Sequence, residues 1–377
     1  MRIALVAGEA SGDLLGAGLI RAIRERNPTV TFEGVAGPEM IAAGCDRIED
    51  SEALAVMGLI EPLAEIPRLL KLRRSLIERW RQDPPDVFVG IDAPDFNFGL
   101  EAALRESGIP VVHYVSPSIW AWRAGRIKTV EKSVDRVLCL LPFEKTIYDE
   151  RGVDAVFVGH PKADSLPVNS DTRAIRESMG FSGHTVVAVL PGSRSNEVKR
   201  LGPIFADAAA LLAARDDNLR FVTPVASAKL RPMIEEQLDK AGVSHLFKIV
   251  DGDSIAAMIA ADVVLLASGT AALESALLCK PTVAAYKVAE ISARIFQIFR
   301  LIKAPFFTLP NLLTDEALVP ELIQWAVTPK AVAEEVSAML KDEDRRASIS
   351  SQFAKLREEL ALDADQRAAD AVLELAT

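Results

Sequence analysis

The chain reads as an α/β protein made of two doubly wound halves, each built on a parallel sheet. Three observations predict this. Short β-branched apolar runs recur along the 377 residues, a longer stretch with helical periodicity follows each, and polar, glycine-rich groups sit just after several runs. Uninterrupted apolar runs suit strands buried on both faces, and helices between them imply parallel pairing. At roughly 100–200 residues per domain, two halves fit the length better than a single large sheet.

In the first half the runs are Ile3–Ala7, Thr31–Val35, Val87–Ile91, Val111–Val115 and Val137–Leu141. In the second they are Val186–Leu190, Leu219–Thr223, Val263–Ala267 and Thr282–Ala285. Pro161, Pro167, Asn169, Ser170 and Asp171 cluster between the two sets and predict a boundary within Pro161–Gly183. The expected halves are therefore 1–165 and 166–345. A charged, strand-free tail over 346–377 is expected to be helical.

Composition removes several function classes. Lys and Arg number 43 against 53 Asp and Glu, for a net charge of −10. A chain that acidic makes a poor general nucleic-acid binder, which needs a basic face. Mean hydropathy is +0.19, apolar for a soluble protein, yet uncharged stretches such as Ser107–Trp122 run to at most 16 residues, and the strongly apolar Val263–Leu273 to 11. Spanning a bilayer takes roughly 20. The start, Met1–Gly8, is too short for a secretory signal and meets Glu9 at once. Cys45, Cys139 and Cys279 are odd in number and widely spaced, which reads as buried thiols in the reducing cytosol. No metal or other cofactor is expected, because no His, Cys and Asp cluster has ligand spacing.

Ligands of open parallel sheets bind beyond the carboxyl ends of the strands. Gly8-Glu9-Ala10-Ser11-Gly12-Asp13, Asp92-Ala93-Pro94-Asp95, Ser116-Pro117-Ser118, Pro191-Gly192-Ser193-Arg194 and Ser268-Gly269-Thr270 all fall there. Together they predict a cleft faced by both halves. The loop at Gly192, Ser193 and Arg194 offers backbone N–H groups at a helix start, plus a guanidinium, to a phosphate. The small residues Ser268, Gly269 and Thr270 let backbone approach a ligand, and Glu274, a turn further on, can accept both hydroxyls of a ribose. A tight turn would also use those glycines, but two such loops in one half favour a nucleotide. GxxxxGK[ST], GxGxxG and GxSxG are all missing, which disfavours a P-loop kinase, a nicotinamide dehydrogenase and an esterase.

Asp92 ends a buried strand, where a carboxylate can take the proton of an attacking hydroxyl. Capping of the following helix is the alternative for both Asp92 and Asp95, with chemistry favoured for Asp92 and the two roles even for Asp95, and one of Glu9 and Asp13 serves equally well as a cap. His113 lies inside a strand and reads as a satisfied core residue. Trp120 and Trp122 suit either the core or a platform for a sugar and acyl chain. Pro67–Arg81 carries six basic residues and one acid, hence a net +5. With Pro67 at the first helical position, Leu69, Leu72, Leu76 and Trp80 share one face. Arg73 falls inside that apolar arc beside Arg74, which suits a membrane interface, with a helix covering its own sheet as the alternative. Ile295–Lys303 is apolar nearly all round and suits the core or an acyl-chain groove.

Leu5–Asp13, Gly90–Asn97, His113–Trp122, Leu190–Arg194, Ala267–Glu274 and Leu309-Pro310-Asn311-Leu312-Leu313 together resemble the signatures of the lipid-A-disaccharide synthases, over essentially the whole chain. The resemblance implies the GT-B type of glycosyltransferase: two Rossmann-like domains facing across a cleft, with C-terminal helices. It implies transfer of 2,3-diacylglucosamine from UDP-2,3-diacylglucosamine to 2,3-diacylglucosamine 1-phosphate (lipid X), with inversion, without a metal, and with release of UDP. Carried over, Asp92 would be the general base and Arg194, with the Gly192–Ser193 backbone, would stabilise the leaving UDP. Ser268, Gly269, Thr270 and Glu274 would hold phosphate and ribose, and Asn311 would line the donor site. Glu9, Ser11, Asp13 and Asp95 would lie near the sugars. A peripheral inner-membrane location, contacts through Leu69, Leu72, Arg73, Arg74 and Leu76, and a homodimer with exchanged C-terminal segments would follow. A UDP-sugar epimerase of the same fold would not need the basic helix, and a non-catalytic nucleotide-binding membrane adaptor would have no use for Asp92.

Overall fold

The computed structural model describes residues 1–54, 61–117, 119, 124–168, 170–288 and 305–376. Trp120, Trp122 and the stretch Ile295–Lys303 lie outside the described residues. The chain forms two compact units, Met1–Asp164 together with Leu360–Thr377, and Ser165–Glu359.

The first unit holds strands β1 (Arg2–Ala7), β2 (Thr31–Ala36), β3 (Cys45–Asp50), β4 (Val87–Ile91), β5 (Val111–Tyr114), β6 (Arg136–Cys139) and β7 (Ala155–Phe157). They pair in parallel in the order β3-β2-β1-β4-β5-β6-β7. Leu5, Val89 and Tyr114 face the helices Ala10–Arg26 and Ala364–Leu373, which contribute Leu19, Ile20, Ala368 and Val372. Val6, Phe88 and Val111 face Leu76 and Trp80 of the helix Glu61–Gln82 and Leu100 and Leu104 of the helix Pro94–Arg105. Both faces of the sheet are thus covered, as the apolar runs require.

The second unit holds β8 (Thr185–Leu190), β9 (Leu219–Val225), β10 (Phe247–Asp251), β11 (Val263–Ala267), β12 (Thr282–Tyr286) and β13 (Glu321–Ile323). Their order is β10-β9-β8-β11-β12-β13, again parallel. The architecture is the doubly wound α/β pair that the sequence predicts. The outermost strands of the two sheets are β3 and β10, which carry charges, and β7 and β13, which span only three residues each. An edge strand is covered less completely, so Asp46 and Arg47 of β3 and Lys248 of β10 stand exposed and break the pattern.

The basic helix differs from expectation in two ways. It begins at Glu61, leaving Pro67 inside it, where 22 residues of helix absorb the one hydrogen bond that proline cannot donate. Its apolar face lies on its own sheet: Leu76 and Trp80 are fully buried and Leu69, Leu72 and Ile77 pack beside them. Leu76 is therefore a core residue, which corrects its assignment as a membrane contact. Arg73 is half-buried, and its guanidinium lies where a side chain at position 99 would be, so Gly99 makes its room.

The tail forms the helices Glu343–Leu360 and Ala364–Leu373. Ala368, Ala369 and Val372 are wholly buried in the first unit, and the Asp164 carboxylate accepts from the N–H groups of Asp363 (3.0 Å) and Ala364 (2.8 Å). No helix among the described residues is long and apolar enough to cross a membrane.

Candidate active site

Each sheet reverses its strand order once, between β1 and β4 in the first unit and between β8 and β11 in the second. Such a switch point leaves a crevice at the carboxyl ends, because the two loops there turn to opposite faces of the sheet. The loops so placed are Gly8–Asp13 and Asp92–Asp95 in one unit, and Pro191–Arg194 and Ser268–Thr270 in the other.

In the first unit β1 and β4 end in register, with Ala7 beside Ile91. Gly8 then packs on the next loop: a Cβ at Gly8 would lie 2.6 Å from that of Ala93. Asp92 and Ala93 both take left-handed backbone, with φ of 50° and 43°, which strains non-glycine residues. Ala93 is the N-cap residue of the following helix and makes no side-chain cap. The Asp92 N–H donates to Tyr114 O (2.9 Å) and its carbonyl accepts from Asn97 Nδ2 (2.8 Å). Its carboxylate is half-buried and has no hydrogen bond or ion pair among the described residues. The backbone is pinned and the side chain is left available.

The other carboxylates of this unit are placed differently. Asp95 is exposed and paired with Arg126. Asp13 is buried, and its carboxylate accepts from the N–H groups of Gly37 (2.9 Å), Glu39 (2.9 Å) and Met40 (3.1 Å). It anchors the turn after β2. Glu9 and Ser11 are exposed at the start of the first helix, on the same loop as Gly8. Ser116 is buried and bonded to Tyr148 Oη at 3.0 Å. His113 is fully buried with Nδ1 2.6 Å from Glu101 Oε1, as a core histidine would be on one nitrogen only; its Nε2 has no partner among the described residues. Cys45 and Cys139 are buried, which pushes both thiols up, that of Cys45 to about 12.

In the second unit Gly192 has φ of 124°, and a Cβ there would meet Glu197 Cβ at 2.5 Å, so the turn requires glycine. Arg194 occupies the N-cap position of the helix Ser195–Ala213 without a side-chain cap, and its side chain is 79% exposed. Glu197, which the sequence pattern does not single out, accepts from the N–H groups of Ser193 (3.1 Å) and Arg194 (3.2 Å). A carboxylate thus already sits where two N–H groups converge, with Arg194 Nη1 3.6 Å away. The groups suit an anion. Across the switch point, Gly269 is exposed and nothing lies within 4 Å of where its Cβ would be, so a ligand can approach the backbone closely. Thr270 starts the next helix and Glu274 lies half-buried within it.

Asn311 departs from the expected role. It is 1% exposed, its Nδ2 donates to Val319 O (2.8 Å) and Glu321 Oε1 (3.0 Å), and its Oδ1 accepts from Val319 N (2.8 Å). Its amide is spent holding the 307–321 loop, so it shapes that loop rather than offering a polar group to a ligand.

Comparison with known proteins identifies the family and the fold. The family model described as lipid-A-disaccharide synthetase matches residues 3–375. The chain is 49% identical over 376 residues to the lipid-A-disaccharide synthase of Alkalilimnicola ehrlichii, covering 99% of this chain and 98% of that one. It is 48% identical to that of Xanthomonas campestris pv. campestris, covering 100% and 86%. Among solved structures it is similar to a UDP-GlcNAc 2-epimerase from Neisseria meningitidis (TM-score 0.65, 13% identity, 99% and 100% coverage). It is similar also to a glycosyltransferase from Rickettsia africae (TM-score 0.62, 13% identity, 99% and 98% coverage). At such identity these two share only the fold with this chain, the GT-B type of paired Rossmann-like units. With a match over nearly its whole length and close to half its residues shared with relatives of that name, the chain belongs to the lipid-A-disaccharide synthetase family.

Proposed function

We propose that the protein is the glycosyltransferase of lipid A biosynthesis that joins two acylated glucosamines. It moves 2,3-diacylglucosamine from UDP-2,3-diacylglucosamine to the 6-hydroxyl of 2,3-diacylglucosamine 1-phosphate and releases UDP. The observation that carries the assignment of roles is Asp92, a carboxylate on a pinned turn at a switch point with no partner of its own among the described residues. The acceptor oxygen attacks the anomeric carbon, the bond to the UDP oxygen breaks, and Asp92 takes the hydroxyl proton. Arg194 and the Ser193 and Arg194 N–H groups receive the leaving diphosphate, taking the place of the Glu197 carboxylate. Ser268, Gly269 and Thr270 complete the phosphate site and Glu274 holds the ribose, while Asn311 shapes the loop beside them. Glu9 and Ser11 face the sugars. Asp13 and Asp95 support the loops instead, since both carboxylates are engaged within the protein.

Association with the inner-membrane surface belongs to the same proposal, but through a different strip of the basic helix. With Leu76 in the core, the exposed residues include Ile66 (43%), Leu70 (37%), Lys71 and Arg74. At about 1 kcal/mol per basic residue near an anionic leaflet, this supports reversible docking. A homodimer that exchanges C-terminal segments would make the contacts of Ala364–Leu373 between copies, which sedimentation of the purified protein tests. The deciding experiment incubates the protein with UDP-diacylglucosamine, with and without the acceptor lipid. UDP release that requires the acceptor is the expected result. UDP-sugar isomerisation would return the epimerase reading, and no reaction would return the adaptor.

A further inference from the structure

Behind the Asp92 turn lies a buried polar cluster that the proposed mechanism does not use. Asn97, Glu101 and His113 are each 0% exposed. They come from two elements, the helix Pro94–Arg105 and β5, and converge beside β4 at Gly90, the strand neighbour of His113. Gly90 makes the room: a Cβ there would fall on Glu101 Oε1 and lie 3.2 Å from Asn97 Cγ. Burying three polar side chains beneath an apolar sheet is costly unless they are used.

Asn97 is used on the turn itself. Its Nδ2 faces three carbonyl oxygens, Asp92 O at 2.8 Å, Val6 O at 3.4 Å and Ile91 O at 3.5 Å. The closest belongs to the first of two consecutive left-handed residues. Glu101, one helical turn after Asn97, is held against His113, whose ring packs on Phe98 at 4.8 Å between centroids. Burial raises the Glu101 pKa above the usual carboxylate range.

We infer that Asn97 is a positioning residue for the transfer reaction, with the Glu101–His113 pair fixing the helix that carries it. The amide holds Asp92 O and so sets the strained turn that aims the Asp92 carboxylate. This rests on Asp92 being the base. A misplacement of about 1 Å at a reacting group lowers rate by roughly a hundredfold without altering binding elsewhere.

Asn97→Asp keeps the shape and replaces the amide donor with a carboxyl group, and Asn97→Ser keeps a hydroxyl donor but loses the reach. In either variant kcat should fall about ten- to a hundredfold, while KM for both lipids and the affinity for UDP stay within about threefold. Glu101→Leu should lower kcat in the same way, and Glu101→Gln, which retains a bond to His113, should lose less. Circular dichroism and UDP binding establish that each variant is folded. A folded Asn97 variant with wild-type kcat overturns the inference, and so does a parallel fall in kcat, UDP affinity and thermal stability, which marks general packing. Asp92→Asn is assayed alongside: if it turns over normally the base assignment has failed, whereas an inactive Asp92→Asn with a fully active Asn97→Asp removes only the role of Asn97.

Discussion

A single carboxylate acquires its chemistry from what does not bind it. Asp13, Asp92 and Asp95 all follow strand ends of the first unit, yet Asp13 is saturated by three N–H groups and Asp95 is paired with Arg126. Among the described residues, Asp92 alone of the three has carboxylate oxygens with no partner. Asp92→Asn should therefore lower kcat by at least about a hundredfold with UDP affinity unchanged, measured by turnover and calorimetry on the same preparation. Arg194→Ala should reduce kcat/KM by about a hundredfold and also weaken UDP, since the proposed reaction sets the lost donor against the leaving group. Asp13→Ala should act on stability instead. Hydrogen bonds to a charged acceptor are strong, and three donors lose theirs, so about 2–4 kcal/mol should disappear from the urea unfolding of the first unit. A variant of Asp13 that unfolds normally but fails to bind substrate would return it to the site.

At the scale of elements, the helix Glu61–Gln82 shows how far periodicity carries. Its apolar stripe is real, but whether the stripe meets a sheet or a bilayer is decided by whether a sheet lies beneath it. Leu76→Ala should destabilise the first unit by about 2–4 kcal/mol, as a buried leucine does. Leu70→Glu with Arg74→Glu should leave stability intact and abolish flotation with anionic liposomes. Unchanged flotation would remove this helix from the membrane. The last helix carries a titrating group. Asp365 packs against Gly18 and near Asp164, and burial pushes its carboxyl up from 3.8 to about 6. A raised carboxylate pKa means that the unfolded chain ionises first as pH rises. The stability contribution is therefore complete below about pH 4 and is lost between there and about pH 6. Asp365→Asn should add roughly 1–2 kcal/mol at pH 7.5 and almost nothing at pH 4, read from urea midpoints at the two pH values.

For the whole molecule, the chain ends in the unit where it began. Leu360–Thr377 belongs with Met1–Asp164, so truncation after Glu359 should destabilise the first unit and abolish turnover while UDP binding survives. Loss of UDP binding in the truncated protein would contradict the independence of the second unit. The two doubly wound halves, most of their strands and the glycine-rich loops at the strand ends were legible in the sequence, because a strand buried on both faces must be an unbroken apolar run and a strand-end turn must contain small residues. Edge strands such as Cys45–Asp50 were not, since exposed Asp46 and Arg47 interrupt the run. The roles of Asp13, Asn97, Glu197 and Asn311 were hidden as well. Local sequence determined where the chain extends, coils and turns, and which turns could meet a ligand. Only the tertiary structure decided which polar side chains are consumed within the protein, because a hydrogen-bond partner 24 residues away, as Gly37 is from Asp13, leaves no trace in local spacing.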